Sequence, residues 1–196
     1  MNIVAIVQAR LSSKRLPGKV ITKIANRPMI EILLARLKKS KRIKKIIVAT
    51  TTDKIDDKLE KIVQQQGIFC FRGNNENVLN RFYHAAKKSD ADIVVRITGD
   101  CPLIDSVIID NCIEKLIENK ADYCSNIIKP SFPDGLDTEV FTFDLLKKTY
   151  KNTKNKNDIE HVTPYMIRSD KIKKVCYSNR KDYSDLRITV DQSDDL

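Results

Sequence analysis

Short apolar runs rich in Val and Ile alternate with amphipathic segments along the first 120 residues, and this alternation limits the fold more than any other feature. The apolar runs lie at residues 3–7, 46–50, 68–71 and 93–98. Segments with apolar residues at helical spacing lie at 29–39, 53–66, 76–88 and 105–119. Strands that alternate with helices pair in parallel through right-handed crossovers. The sequence therefore predicts an α/β protein with a Rossmann-like layered sheet.

The pattern is less regular after residue 120. A Pro-rich stretch is expected at 130–135, extended segments at 138–143 and 172–177, a helix at 159–168 and a last strand at 186–190. Because 196 residues fit one domain, we predict that 121–196 builds a substrate-specific region on the sheet of 1–120. The sequence stops at Leu196 just after acidic residues typical of a helix start, so we expect a truncated C-terminus.

A basic loop follows the first apolar run. In QARLSSKRLPGK, residues 8–19, the cations are Arg10, Lys14, Arg15 and Lys19, with no acid among them. Ligands of open α/β sheets bind where strands end, and Arg and Lys suit phosphate oxygens. We therefore predict a polyphosphate site; the alternative is a solvated turn in a Lys-rich protein. The loop lacks GxxxxGKS, GxxxxGKT and GxGxxG, which argues against a P-loop NTPase and a dinucleotide fingerprint.

Two aspartates follow apolar strands in the same way. Asp100 comes directly after the run at 93–98, and Asp191 follows the apolar residues 188–190. Mg²⁺ in phosphate sites usually takes one or two protein carboxylates and keeps phosphate and water ligands. Asp100 and Asp191 are therefore candidate Mg²⁺ ligands. The alternative for Asp100 is a turn residue ahead of Pro102.

Composition limits the remaining classes. Five cysteines without CxxC or Cys/His spacing indicate reduced structural thiols rather than disulfides or a zinc site. A net charge of +10 raises the question of nucleic acid, but the Lys-rich segments lack interleaved aromatics, so a solvated face is favoured. No apolar stretch approaches the roughly 20 residues of a membrane span, and no signal-peptide pattern is present. We expect a soluble cytoplasmic protein without a nucleic-acid or membrane partner.

A series of ordered motifs carries a family resemblance from about Ile3 to Leu196. The motifs are QARLSSKRLPGK, FRG, NVLNRF, RITGDCPLID, ADYCSN, FPDGLDTEVF, EHVTP and RITVDQSDDL. Together they resemble the cytidylyltransferases of spore-coat polysaccharide biosynthesis, which are related to the CMP-Kdo and acylneuraminate cytidylyltransferases. The resemblance implies a three-layer α/β/α sandwich of the nucleotide-diphospho-sugar transferase type, with a mostly parallel mixed sheet. It also implies Mg²⁺-dependent transfer from CTP to an acidic sugar with release of pyrophosphate, for surface polysaccharide synthesis.

The resemblance assigns roles by position. The catalytic residues would be Lys19, Arg15 and Asp100, and the metal ligands Asp100 and Asp191. The nucleotide-binding residues would be Gln8, Ala9, Arg10, Arg15, Lys19, Arg72 and Arg81. The substrate-binding residues would be Asp137, Glu139 and His161, although a structural histidine and ordinary edge-strand polar positions are alternatives. Residues 1–120 would bind the nucleotide, and 121–196 the sugar or a second copy in a homodimer.

Several alternatives stay open at this stage. Asn77 stands where the family usually has Asp, which weakens the expected contact to the base. Cytosine rests on resemblance alone, and the sugar is not fixed by it. A UTP- or GTP-dependent sugar-phosphate nucleotidyltransferase would keep the basic loop and Asp100. A basic nucleic-acid-binding module and a catalytically silent fragment are the remaining alternatives.

Overall fold

The computed structural model describes residues 1–13 and 15–196, so the predicted cation Lys14 lies outside the described residues. Its strands are β1 (Ile3–Gln8), β2 (Lys23–Ile24), β3 (Arg27–Pro28), β4 (Lys45–Thr51), β5 (Phe69–Gly73), β6 (Ile93–Thr98), β7 (Tyr123–Ser125), β8 (Glu139–Thr142) and β9 (Lys174–Cys176). Its α-helices are α1 (Met29–Leu37), α2 (Asp57–Gln65), α3 (Val78–Lys88), α4 (Ser106–Glu118), α5 (Phe143–Asn152), α6 (Lys156–His161) and α7 (Pro164–Arg168). Short 3-10 helices cover Lys19–Ile21, Lys54–Asp56 and Ser193–Asp195.

A seven-stranded sheet in the order β5-β4-β1-β6-β8-β7-β9 forms the middle layer. Strands β5, β4, β1 and β6 are parallel, whereas β8 runs antiparallel to β6 and β7. β7 and β9 are again parallel. The predicted α/β fold with a mostly parallel mixed sheet is therefore confirmed.

Two separate cores cover the two faces of the sheet, and β1 contributes to both. Ala5 and Val7 pack in a core with side chains of α1, α2 and α4, and Val4 and Ile6 pack in a core with α3, α5 and α7. All four of these β1 residues are 0% exposed. Because alternate residues of a strand point to opposite faces, an all-apolar β1 needs helices on both sides. This arrangement gives the three-layer sandwich.

The predicted strand at 186–190 is wrong. This segment makes only an isolated parallel bridge between Asp134 and Arg187, with Ile188 N donating to Asp134 O at 2.8 Å. Its neighbour is the turn that contains Pro133 and Gly135, where φ at Gly135 is 106°. Proline lacks an amide donor and a left-handed glycine leaves the extended conformation, so no ladder can form there.

The predicted single helix at 159–168 is two helices. α6 ends at His161 and α7 begins at Pro164, and Val162 between them has a φ of 71°. Pro164 cannot donate an intrahelical hydrogen bond and is favoured in the first turn of a new helix. The structure also adds α5 and the three-residue strand β7, neither of which was predicted as an element.

The cysteine prediction agrees with the structure, in which all five thiols are free. Four of them are buried, and Cys176 is half-buried. Among the described helices, none combines the length and apolar character that crossing a membrane would require.

Candidate active site

The carboxyl ends of β1 and β6 place the basic loop beside Asp100. The two strands are parallel neighbours, with Gln8 opposite Thr98, and Gly99 N donates to Gln8 O at 2.9 Å. A Cβ atom at position 99 would lie 2.9 Å from Gln8 O and 3.0 Å from Ala9 Cβ. Only glycine fits this approach without displacing its neighbours. Gly99 therefore lets the loop with Asp100 lie directly against the start of the basic loop.

The Lys19 ammonium group is the centre of the site. Lys19 begins a 3-10 helix directly after Gly18, whose φ is 74°, and it is 7% exposed. Its Nζ donates to Asp100 Oδ2 at 3.0 Å, to Asp191 Oδ1 at 2.9 Å and to Val190 O at 2.9 Å. All three donors of the ammonium group are thus used. We call Lys19, Asp100 and Asp191 the Lys19 cluster; it joins three segments that are distant in sequence.

Asp100 is held in its ionised form. Burial by itself raises the pKa of Asp100, but the charge of Lys19 and hydrogen bonds from Thr98 and Lys19 outweigh burial, and the pKa lies below its usual value of 3.8. At neutral pH the site therefore presents a carboxylate. Asp191 is reached by a second cation, because Arg15 Nη2 lies 2.7 Å from Asp191 Oδ1. The Arg15 side chain is 64% exposed and can exchange this partner for a ligand.

The start of the basic loop is anchored by an acid that the sequence analysis did not single out. Asp56 is 0% exposed, and its Oδ1 accepts from Leu11 N at 2.7 Å. Its Oδ2 accepts from the hydroxyl of Thr51 at the end of β4. In the sequence, an acid between a buried strand and a helix gives only a weak indication of a functional role. That Asp56 contacts Leu11 is known only from the fold.

The predicted nucleotide-binding arginines have different surroundings. Arg81 is 2% exposed, and its Nη1 donates to Asn74 O at 2.6 Å and Asn75 O at 3.1 Å. Burial first, and then the charge of Arg10, lowers the pKa of Arg81 to about 10. The charge of Arg10 therefore reaches Arg81, whose buried Nε has no hydrogen-bond partner among the described residues. Two neighbouring guanidinium groups favour an anion between or beside them.

Arg72 instead fastens the start of α2. Its Nε donates to Thr51 O at 2.9 Å and its Nη2 to Asp53 O at 2.7 Å. Its Nη1 pairs with Asp57 Oδ1 at 2.5 Å and Glu60 Oε2 at 2.8 Å. These four contacts hold the β4–α2 turn that carries Asp56. The predicted contact of Arg72 with nucleotide stays a prediction.

Asn77 has a local function that explains how it can stand where Asp is usual. Its Oδ1 accepts from Asn80 N at 2.7 Å at the start of α3. Asn and Asp are about equally good N-caps because both offer a side-chain oxygen to the free amides of the first turn.

The three predicted sugar-binding residues are not brought together in one cluster. Asp137 is half-buried, and burial, Asp134 and Glu139 raise its pKa to about 6, with a further contribution from Asp100. Glu139 is 2% exposed; it pairs with Arg96, and its Oε1 accepts from Tyr123 OH at 2.6 Å. His161 is exposed at the end of α6. No ion pair or hydrogen bond recorded for the described residues joins it to the Lys19 cluster.

Within the described residues, no group of three or more His, Cys, Asp and Glu side chains converges as a metal centre. The Lys19 cluster supplies two carboxylates only. Two protein carboxylates are nevertheless the usual complement of Mg²⁺ in a phosphate site, where phosphate and water complete the coordination. Their oxygen chemistry therefore fits this cation.

A family model and several known proteins are similar to the chain over nearly its whole length. A family model described as cytidylyltransferase matches residues 4–193. Uncharacterised protein MJ1063 of Methanocaldococcus jannaschii is 46% identical over 100% of this chain and 81% of its own length. The Bacillus subtilis spore coat polysaccharide biosynthesis protein SpsF is 30% identical over 99% of this chain and 83% of its own length. A solved cytidylyltransferase structure from Leptospira borgpetersenii has a TM-score of 0.96 and 37% sequence identity, and the match covers 100% of this chain and 83% of that chain.

Proposed function

Because the chain belongs to the cytidylyltransferase family, we propose that it uses CTP and Mg²⁺ to convert an acidic sugar to a CMP-sugar, with release of pyrophosphate. The product would serve the synthesis of a surface polysaccharide, as the name of the SpsF relative suggests. The observation that supports this most directly is the Lys19 ammonium group, within 3.0 Å of both Asp100 and Asp191 at the carboxyl edge of the sheet. The ammonium group offers positive charge to phosphate oxygens, and the two carboxylates offer ligands to a metal ion, which suits the transfer of a nucleotidyl group.

The chemistry needs positioning and charge neutralisation rather than a covalent nucleophile. A sugar hydroxyl oxygen attacks the α-phosphorus in line and loses its proton to solvent. The bond between the α-phosphorus and the oxygen that bridges it to the β-phosphorus breaks, and pyrophosphate leaves. Lys19 is fixed by three hydrogen bonds and would stabilise the charge that develops on the leaving group. Arg15 is exposed and would leave Asp191 to bind the triphosphate. Arg10 and Arg81 would bind the remaining part of the nucleotide.

The donor set of the site fits Mg²⁺. Asp100 is ionised at neutral pH, and both Asp100 and Asp191 offer oxygen ligands. These two residues would hold the ion, which would neutralise charge on the phosphate oxygens. Lys19 would keep the two carboxylates in place before the nucleotide arrives.

The acceptor is proposed to be anionic. The chain carries a net charge of +10, and its basic loop contains no acid. Such surroundings attract a sugar acid more strongly than a neutral sugar. Asp137 would accept hydrogen bonds from sugar hydroxyls, because it is half-buried beside Asp100. Direct sugar contacts of Glu139 and His161 stay predictions.

Pyrophosphate release tests the proposal. CTP, UTP, GTP and ATP are each combined with an eight-carbon ulosonic acid, a nine-carbon ulosonic acid, a neutral hexose and a hexose phosphate, with and without Mg²⁺. We expect release only with CTP, an acidic sugar and the metal. A preference for UTP or GTP with the hexose phosphate would contradict both the nucleotide and the acceptor. Release without any divalent cation would contradict the role of Asp100 and Asp191 as metal ligands.

Thermal unfolding separates binding from turnover. A nucleotide present at 100 times its dissociation constant stabilises the folded protein by about 2.7 kcal/mol. We expect a Mg²⁺-dependent rise of the unfolding midpoint with CTP that exceeds the rise with the other three nucleotides. Equal shifts with all four would contradict cytosine specificity.

A further inference from the structure

Asp191 is held from two sides. Its Oδ1 faces Lys19 Nζ at 2.9 Å, and its Oδ2 faces Arg187 Nη2 at 3.2 Å. A carboxylate with only one fixed oxygen can rotate about its last bond, whereas one fixed through both oxygens has a defined direction. Lys19 and Arg187 together therefore fix the direction of the Asp191 carboxylate.

The main chain of Asp191 is fixed by the same arginine through an intermediate acid. Asp195 Oδ2 accepts from the backbone amides of Asp191 at 2.7 Å and Gln192 at 2.8 Å. Arg187 in turn grips Asp195 with both terminal nitrogens, at 2.5 Å to Oδ1 and 3.2 Å to Oδ2. Bidentate pairs of this kind fix both distance and direction.

Arg187 has a fixed position of its own. It lies in the segment that bridges to Asp134, where Asp134 N donates to Leu186 O at 2.9 Å. The Arg187 Nε is 3.5 Å from Asp134 Oδ2. A Cβ atom at Gly135 would lie 2.7 Å from Thr189 N, so the two segments are in close contact. Asp134 and Asp195 also balance the charge of Arg187, which leaves the charge of Asp191 available to the site.

We propose that Arg187, acting with Asp195, is a positioning residue that directs the Asp191 carboxylate into the metal and triphosphate site. The inference rests on the proposed function, because it assigns Asp191 to the metal. Arg187 would act through Asp191, which it contacts directly, rather than by binding nucleotide or metal itself. Residues that orient a metal ligand are commonly worth about 10- to 100-fold in metal affinity or activity.

The test compares Arg187→Gln with Arg180→Gln. Arg180 is an exposed arginine of the same C-terminal region; among the described residues, its backbone amide donates to Asn179 Oδ1 and its guanidinium group forms no ion pair. The readouts are the Mg²⁺ concentration for half-maximal pyrophosphate release and the affinity for Mn²⁺, measured by electron paramagnetic resonance with CTP present. We expect Arg187→Gln to weaken both by about 10-fold or more, with a smaller change in KM for CTP. Arg180→Gln should match the wild type.

Further variants exclude a general loss of structure. Asp195→Asn removes the charge that Arg187 grips and should shift the metal dependence in the same direction by a smaller factor. Arg187→Lys keeps one contact to Asp191 and should recover part of the Mn²⁺ affinity. If Arg187→Gln fails to fold, Asp195→Asn decides alone. An unchanged Mn²⁺ affinity in the folded variants, with a metal-dependent wild type, overturns the positioning role only. A wild type without metal dependence overturns the metal part of the proposed function as well.

Discussion

Asp100 and Asp137 lie at the same edge of the sheet, and the charge of Asp100 contributes to the pKa of Asp137. The surroundings of the two residues nevertheless shift their pKa values in opposite directions. Both are taken partly out of water, which favours the neutral form of a carboxyl group. In the Lys19 cluster a buried ammonium group reverses that effect, and the pKa of Asp100 lies below its usual value. Around Asp137 the neighbours Asp134 and Glu139 add to burial, and its pKa rises to about 6.

A neighbouring cation decides in which direction the pKa of a partly buried carboxyl group in this site is shifted. Asp100 stays a carboxylate at neutral pH, as a metal ligand must. Asp137 changes its charge near neutral pH and suits hydrogen bonding to a sugar hydroxyl better than metal binding. Arg96 opposes the shift of Asp137, but it is already paired with Glu139. The buried cation Lys19 beside Asp100, rather than a difference in burial, therefore explains why the pKa values of the two acids differ.

Loss of Lys19 should have the largest effect, because it removes the difference between the two acids. Lys19→Ala leaves Asp100 and Asp191 facing each other without their shared cation. We expect turnover to fall by about two orders of magnitude or more, as for the loss of one preorganised charge-stabilising group. Removing one partner of a buried ion pair also lowers the free energy of unfolding by roughly 3 kcal/mol. Steady-state pyrophosphate release and urea unfolding measure the two effects.

The matched control for this variant is Lys148→Ala, at an exposed lysine of α5. Lys148→Ala should change neither the turnover nor the free energy of unfolding. Asp100→Ala should lose turnover to a similar extent as Lys19→Ala. Turnover within a few-fold of the wild type in both site variants would contradict the role of the Lys19 cluster.

The meeting of Lys19, Asp100 and Asp191 could be expected from the sequence. The basic loop that carries Lys19 and the two aspartates each follow an apolar segment, and parallel strands bring their carboxyl ends to one edge. Asp191 reaches that edge by a different route, since 186–190 is not a strand of the sheet. Val190 N donates to Asp100 O at 2.8 Å instead, which ties the segment to the loop after β6.

The supporting contacts could not be predicted, because they depend on tertiary partners. Asp56 resembles an ordinary polar residue of a helix start, and Arg72 an ordinary polar residue at the end of a strand, until Leu11 and Thr51 are placed beside them. Arg187 and Asp195 are two more charges in a charged segment until their shared contact with Asp191 is known. The three-residue strand β7 is too short for periodicity to reveal.

Arg15 provides an intermediate effect, since it contacts the same acid as Lys19 from the solvent side. Its side chain is 64% exposed, against 9% for Lys19. Exposed ion pairs contribute about 0 to 1 kcal/mol, so Arg15→Ala should leave the free energy of unfolding nearly unchanged. We expect KM for CTP to rise by about 10-fold, with Arg15→Lys closer to the wild type because it keeps the charge. A stability loss equal to that of Lys19→Ala would remove the distinction between the buried and the exposed cation.

The smallest effect concerns Asp137 and appears only as a dependence on pH. Because its pKa is about 6 when folded and ordinarily 3.8, the folded chain holds a proton that the unfolded chain releases between these values. The contribution of Asp137 to stability therefore falls as pH rises through this window and is constant above it. Asp137→Asn lacks this loss, so its free energy of unfolding should rise relative to that of the wild type by up to about 3 kcal/mol across the window. Urea unfolding at several pH values measures the gain, with exposed Asp144→Asn as the control. Parallel stability curves for wild type and Asp137→Asn would mean that the surrounding acids do not raise this pKa, and the contrast with Asp100 would be lost.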